Sequence, residues 1–364
     1  MLKRLKYFGL LLVVVSCIEP YQFRIKNNSP ALVIEGTLTN KSFNDTRLYP
    51  SDGRYFTVKL SRTSDVINVR SEAVPNANVL VMSDLGEEWN LVESSEPGIY
   101  QLLDDEFKAD EGVKYKLSIT LPDDERVESA WEAMPPVEPE MGELSFNETS
   151  TKRFVLGEVT SVRGITPHLV VPLNETGAPL YYRWKFSPTW IFIAPLAATT
   201  DDNIKTCWAT NNFYIRDYAL LLDKEGGYNN DLFFMDIEQN ERILHEFSLL
   251  VEQHAMTEKY YQFWNEMQSL NQPGGIFSTP PFNLETNFTS ADGGDVFGYF
   301  GVVREQAKRW YFNKDDLSYA IGDWYSEQCN EPCLGPGCPP QECSTCLKYQ
   351  GGRTTNIRPA WWGR

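Results

Sequence analysis

Between residues 31 and 140 apolar and polar positions alternate in short runs, and period two predicts strands. Leu32-Val33-Ile34-Glu35-Gly36 reads as a first strand and Tyr55-Phe56-Thr57-Val58-Lys59-Leu60 as a second. Asn78 to Met82 is a third, closed by the turn residues Ser83, Asp84 and Gly86. Trp89 to Val92, Gly98 to Leu102 and Lys114 to Ile119 continue the series. Strands at this spacing predict an antiparallel β-sandwich over 31–140. The run Met134-Pro135-Pro136-Val137-Glu138-Pro139-Glu140 reads as a linker.

The pattern over 141–320 predicts a second β-rich domain with one prominent helix. Leu180 to Phe186 and Thr189 to Ile193 are aromatic strands, Arg242 to Val251 is another, and Asp295 to Val303 is a late one. The helix starts after Thr257, with Glu258 in its first turn. Tyr260, Phe263, Trp264, Met267 and Leu270 follow at helical spacing, and Pro273-Gly274-Gly275 stops it. Such an aromatic stripe predicts a helix packed on a sheet. Residues 321–364 show little apolar periodicity and form a cysteine-rich tail expected to pack on the second domain.

The N-terminus changes the picture of where this body resides. Lys3, Arg4 and Lys6 precede an apolar run from Tyr7 to Ser16, and Cys17 follows at once. That is the layout of a secretory signal over 1–16, and a cysteine at the cut marks a bacterial lipoprotein. About ten apolar residues fall short of the roughly 20 that span a bilayer. The expectation is a lipid anchor on Cys17, a polar stem over 17–30, and a soluble body outside the cytoplasm. Lipid chains contribute roughly 0.8 kcal/mol per buried methylene, and two or more signals give stable anchoring.

Composition narrows the partners. The formal charge is −17, and loss of the basic leader makes the body more acidic still. An acidic surface repels nucleic acid. Besides Cys17 there are six cysteines: Cys207, Cys329, Cys333, Cys338, Cys343 and Cys346. An even number in an exported chain predicts disulfides, and six allow 15 pairings. Cys207 lies alone outside the tail, so it is the natural staple between tail and second domain. A zinc reading of the tail lacks a histidine and the usual two close pairs.

Catalytic signatures are missing: no GxSxG elbow, P-loop or GxGxxG occurs. His245-Glu246 begins like a zinc-protease motif, but Leu249 stands where the second ligand belongs. The acidic turns Asp104-Asp105-Glu106, Asp201-Asp202-Asn203 and Asp292-Gly293-Gly294-Asp295 fit no EF-hand register. No metal or cofactor is expected, and an enzyme is not. Trp361 and Trp362 read either as a platform for a sugar or partner, or as a pin for the tail.

Two resemblances add to this. The order of turns and strands over 74–121 resembles the carboxypeptidase-regulatory-like, transthyretin-type sandwich, an Ig-like arrangement. Cys17-Ile18-Glu19-Pro20-Tyr21, Leu32 to Gly36, Tyr181-Tyr182-Arg183-Trp184 with Pro188-Thr189-Trp190, Val251-Glu252-Gln253, Phe263-Trp264, Gly298-Tyr299-Phe300, Cys343-x-x-Cys346, Gly351-Gly352 and Pro359-Ala360-Trp361 occur in that order. In this the chain resembles the domain-of-unknown-function family 4249 of Bacteroidota outer-membrane lipoproteins. That resemblance implies a surface lipoprotein partnered with a SusC-like, TonB-dependent barrel, and it brings no catalytic residues. The leading expectation is a non-enzymatic accessory subunit of such a barrel. The alternative is a lipoprotein that binds a glycan or peptide and delivers it to the transporter, and a hydrolase with a carboxylate site ranks last.

Overall fold

The apolar alternation folds as it reads: the chain is mainly β. The computed structural model describes residues 30–49, 51–63, 72–155, 157–198, 202–213, 215–271, 284–332, 335 and 338–363. The leader, Cys17, nearly all of the stem and Cys333 lie outside the described residues.

The first elements are β1 (Leu32–Thr39), α1 (Phe43–Leu48), β2 (Thr57–Arg62), β3 (Glu72–Ala73), β4 (Asn78–Ser83), β5 (Glu88–Glu93), β6 (Ile99–Gln101), β7 (Lys114–Thr120), β8 (Arg126–Ser129) and β9 (Glu132–Ala133). Ser42 caps α1 in a reciprocal capping box with Asp45. The ladder runs β8-β7-β4-β5-β6-β2-β1. One core unites Ile34, Leu38, Val58 and Leu60 of β1 and β2 with Val79, Val81, Leu117 and Ile119 of β4 and β7. All of these are inward positions at period two. Side-chain-free Gly36 leaves room on β1, because a Cβ there would press on Leu117 and Val58 at 3.3 Å.

The next elements are β10 (Leu144–Val155), β11 (Glu158–Val171), β12 (Leu180–Ile193), α2 (Asp202–Lys205), β13 (Thr206–Thr210), β14 (Tyr218–Asp223), β15 (Tyr228–Asp231), β16 (Met235–Asp236), β17 (Phe247–Ala255), α3 (Glu258–Asn271), β18 (Phe288–Ser290) and β19 (Val296–Phe312). α4 (Trp324–Asn330), α5 (Gln341–Ser344) and β20 (Arg353–Thr355) close the chain. A four-stranded sheet, β10-β11-β15 with β16 on β11, supplies Ile165, Leu169 and Val171 to a second core. Tyr182, Trp184, Phe186 and Trp190 of β12 face it.

Three readings change in the structure. The two aromatic strands around Ser187 are one strand, β12. Pro188 is tolerated because β12 pairs with β14 over Leu180–Lys185 and with β13 over Thr189–Ile193. Pro188 falls between the two partners, so its missing N–H forfeits no bond on that side. The run from Arg242 to Val251 splits instead into a 3₁₀ turn, Glu241–Ile243, and β17. The Asn240 side chain accepts from the Arg242 amide and ends extension there. The proline-rich run before residue 141 is strapped to β19 rather than loose. Arg304 donates to the Pro135 carbonyl at 2.8 Å, and Gln306 reaches both Glu138 and the Pro139 carbonyl at 2.9 Å.

β19 ties the two cores together. Its first half, Val296–Val303, runs parallel to β1, while its second half, Arg304–Phe312, runs antiparallel to β17. Val296, Phe300 and Val302 therefore fill the first core, joined there by Phe288 of β18, although all lie well past residue 140.

Cys207 of β13 is bonded to Cys346, and Cys329 to Cys343. Cys338 is also disulfide-bonded. The tail is pinned further by its tryptophans. Trp362 is buried, donates to Glu246 at 3.1 Å and packs on Trp208 and Tyr311. Trp361 donates to Asp52 at 2.8 Å and carries the Arg309 guanidinium 3.6 Å above its ring.

Candidate functional site

Where β19 passes from β1 to β17, the sheet presents a polar ladder on the face opposite the second core. Arg183 and Lys185 stand two apart on β12, and Glu252 and His254 two apart on β17, so each pair shares a face. Register sets Arg183 opposite His254, Lys185 opposite Glu252, and His254 opposite Glu305 of β19. Such a row normally faces water. Here α3 lies across it, and the segment after α1 brings Arg54 from the first sandwich.

Helix α3 follows β17 after two residues. Thr257 Oγ1 accepts from the Tyr260 amide, as its capping role predicts. Tyr260 and Phe263 are buried, with Tyr299 and Val303 of β19 in the same cluster. Burying each such ring contributes roughly 1.5–3 kcal/mol. The close approach depends on Gly301, where a Cβ would stand 2.2 Å from the Tyr260 ring. The Tyr260 hydroxyl meets Thr37 Oγ1 of β1 at 2.7 Å, so one helix touches both halves of the molecule.

The charges are unevenly matched. Arg54 bridges Glu252 and Glu305 across the junction. Burial alone would raise the Glu305 carboxyl, but Arg54 and His254 overrule it and hold it well below the ordinary range. His254 Nε2 lies 3.4 Å from Glu305 Oε2, without a well-aligned hydrogen bond. Burial pushes the His254 imidazole down to about 4, with Glu305 pulling the other way, so the ring is neutral near pH 7. Its Nδ1 sits 3.1 Å from Arg183 Nη2. Burial also lowers the Lys185 ammonium, against the pull of Glu252. Trp184 and Gln253, directly opposite each other, satisfy one another at 2.9 Å.

A cleft of about 730 Å³ opens at this junction. β1, β2, β12, β17, the start of β19 and α3 all contribute to its wall. That volume falls in the range of small-molecule sites, which pair apolar walls with a few placed polar groups. Phe263, Trp264, Met267, Phe297 and Tyr299 supply the apolar wall, and Arg183 and Lys185 the charge. The stripe on α3 that sequence assigns to core packing thus does two things: Tyr260 and Phe263 are buried, and the same residues border the cleft.

The cysteines singled out in the sequence lie elsewhere. Cys207 and Cys346 are buried in the second core, and Cys329 and Cys343 are buried and bonded to each other in the tail. Sequence reasoning passed over Arg54, His254 and Glu305 as members of a site, and met Arg183 and Lys185 only within a predicted strand. A signal existed in the charged pairs at i and i+2 inside strands otherwise rich in large apolar residues.

No curated protein matches this chain. A family model described as Domain of unknown function (DUF4249) matches residues 18–309, a span that holds every element of the cleft and ends within β19, before the cysteine-rich tail. The chain therefore belongs to the DUF4249 family.

Proposed function

We propose that this is a lipoprotein, tethered through Cys17 to the outer membrane at the cell surface, that binds a ligand without chemical change and serves a SusC-like, TonB-dependent barrel. The observation that carries the ligand reading is the cleft of about 730 Å³ with an aromatic wall and two cations, buried Arg183 and half-buried Lys185, on its border. Of the two non-enzymatic readings open from sequence, the cargo-binding one is favoured by this cleft. Pure docking needs no hollow, whereas a hollow with few, placed charges is what a small ligand uses. The tether and barrel partner rest on the leader pattern and the family resemblance. Purification of the full-length protein in detergent from its own cells tests this reading. The expected result is a β-barrel in the eluate and a small molecule released on denaturation. Recovery of the protein alone and ligand-free would contradict it.

A further inference from the structure

Two cations border the cleft without a carboxylate of their own. Arg183 is 3 % exposed, yet among the described residues no carboxylate pairs with its guanidinium, and its nearest partners are uncharged rings. They are the His254 ring nitrogen at 3.1 Å, the Trp264 face at 3.9 Å and the Tyr260 ring at 5.8 Å. Its Nε is buried without a hydrogen-bond partner among the described residues. Lys185, on the same face, makes no ion pair among the described residues. Both nearby carboxylates, Glu252 and Glu305, are engaged by Arg54. Desolvating a guanidinium is costly unless a counter-charge or a full set of hydrogen bonds compensates. Aromatic faces offset only part of that cost.

The wall of the cleft repeats the imbalance. It carries Lys41, Arg54, Lys59, Arg183 and Lys185 against Glu35 and Asp217; Lys59 pairs with Glu35 and Arg54 with Glu252 and Glu305, which leaves Lys41, Arg183 and Lys185 against Asp217 in a chain of net charge −17. A basic hollow in an acidic molecule is charge-complementary to an anion and to few other ligands.

We infer that the cleft takes a small ligand bearing an oxyanion, carboxylate or phosphate, beside an aromatic or apolar body. The oxyanion sits against Arg183 and Lys185, and the body lies along Phe263, Trp264 and Tyr299. This rests on the reading of the cleft as a ligand site. No bond is made or broken.

Calorimetry on the full-length protein in non-ionic detergent tests it with two probes, N-acetyl-Phe-Trp with a free carboxylate and the same dipeptide as its C-terminal amide. The acid is expected to bind at least tenfold more tightly than the amide. Lys185→Met should weaken binding of the acid more than binding of the amide and so narrow the gap between them; an undiminished gap counts against the inference. Arg183→Met should do the same, but Arg183 is buried and its replacement can unfold the protein, so the half-buried Lys185 carries the test. Displacement of the acid by inorganic phosphate points to a phosphate-bearing ligand, and resistance to displacement points to a carboxylate; either upholds the inference. Equal affinity for acid and amide overturns the anion inference and leaves the cleft as a neutral-ligand site. Failure of both probes to bind overturns the inference together with the ligand reading.

Discussion

At the scale of single residues, the buried ladder ties stability to charge. Arg54 neutralises Glu305, whose side chain is fully buried. Arg54→Met should leave that carboxylate uncompensated and cost about 3 kcal/mol, read as a lower urea midpoint at pH 7. His254 makes the molecule acid-sensitive. Its folded value of about 4 lies below the ordinary 6.5. As pH falls from 6.5 the unfolded chain takes up the proton first, so stability drops until about pH 4. Glu305 has the same sign, its contribution being present above the ordinary carboxylate value and lost as pH falls further. His254→Gln should therefore flatten the stability curve between pH 6.5 and 4 while leaving the more acidic limb in place; an unchanged slope in denaturant titrations across that window would refute the assignment. None of this ladder was legible as a site. Polar residues at i and i+2 on a strand read as a solvent face, and what buries this one is α3, folded back over it, together with Arg54, which lies 198 positions before its partner Glu252.

At the scale of elements, the local signals that need no distant partner were the ones sequence could carry. Period two gave the strands of the first sandwich, and Thr257 and the aromatic stripe marked α3, while the Pro273-Gly274-Gly275 stop lies outside the described residues. Elements shaped by their neighbours were less legible. β12 runs through Pro188 because its two partners meet there, and β19 runs on to Phe312 because β17 takes over from β1. Tyr260 sits against β19 only because residue 301 lacks a side chain. Gly301→Ala should push the helix off the strand and destabilise the protein by about 1–3 kcal/mol. The same variant should weaken binding of the acidic dipeptide, since Trp264 travels with the helix. A variant of full stability would mean that α3 yields without cost.

At the scale of the molecule, one strand, one helix and one disulfide hold the parts together. β19 runs through both cores, α3 touches both halves, and Cys207–Cys346 closes a loop with a sequence separation of 139. Cross-links over loops this long constrain the unfolded chain by about 3–5 kcal/mol. Cys207→Ser should lower the melting temperature and expose the tail to protease, leaving the cleft, on the far face of the sheet, able to bind. The cleft lies where the halves meet, so a ligand there should stiffen the junction as a whole. Hydrogen exchange of the full-length protein with and without N-acetyl-Phe-Trp reads this most directly. The account predicts slower exchange in β12, β17 and α3 together, with the tail unchanged. Protection confined to the tail or to β10 and β11, or no protection at a saturating concentration, would contradict it.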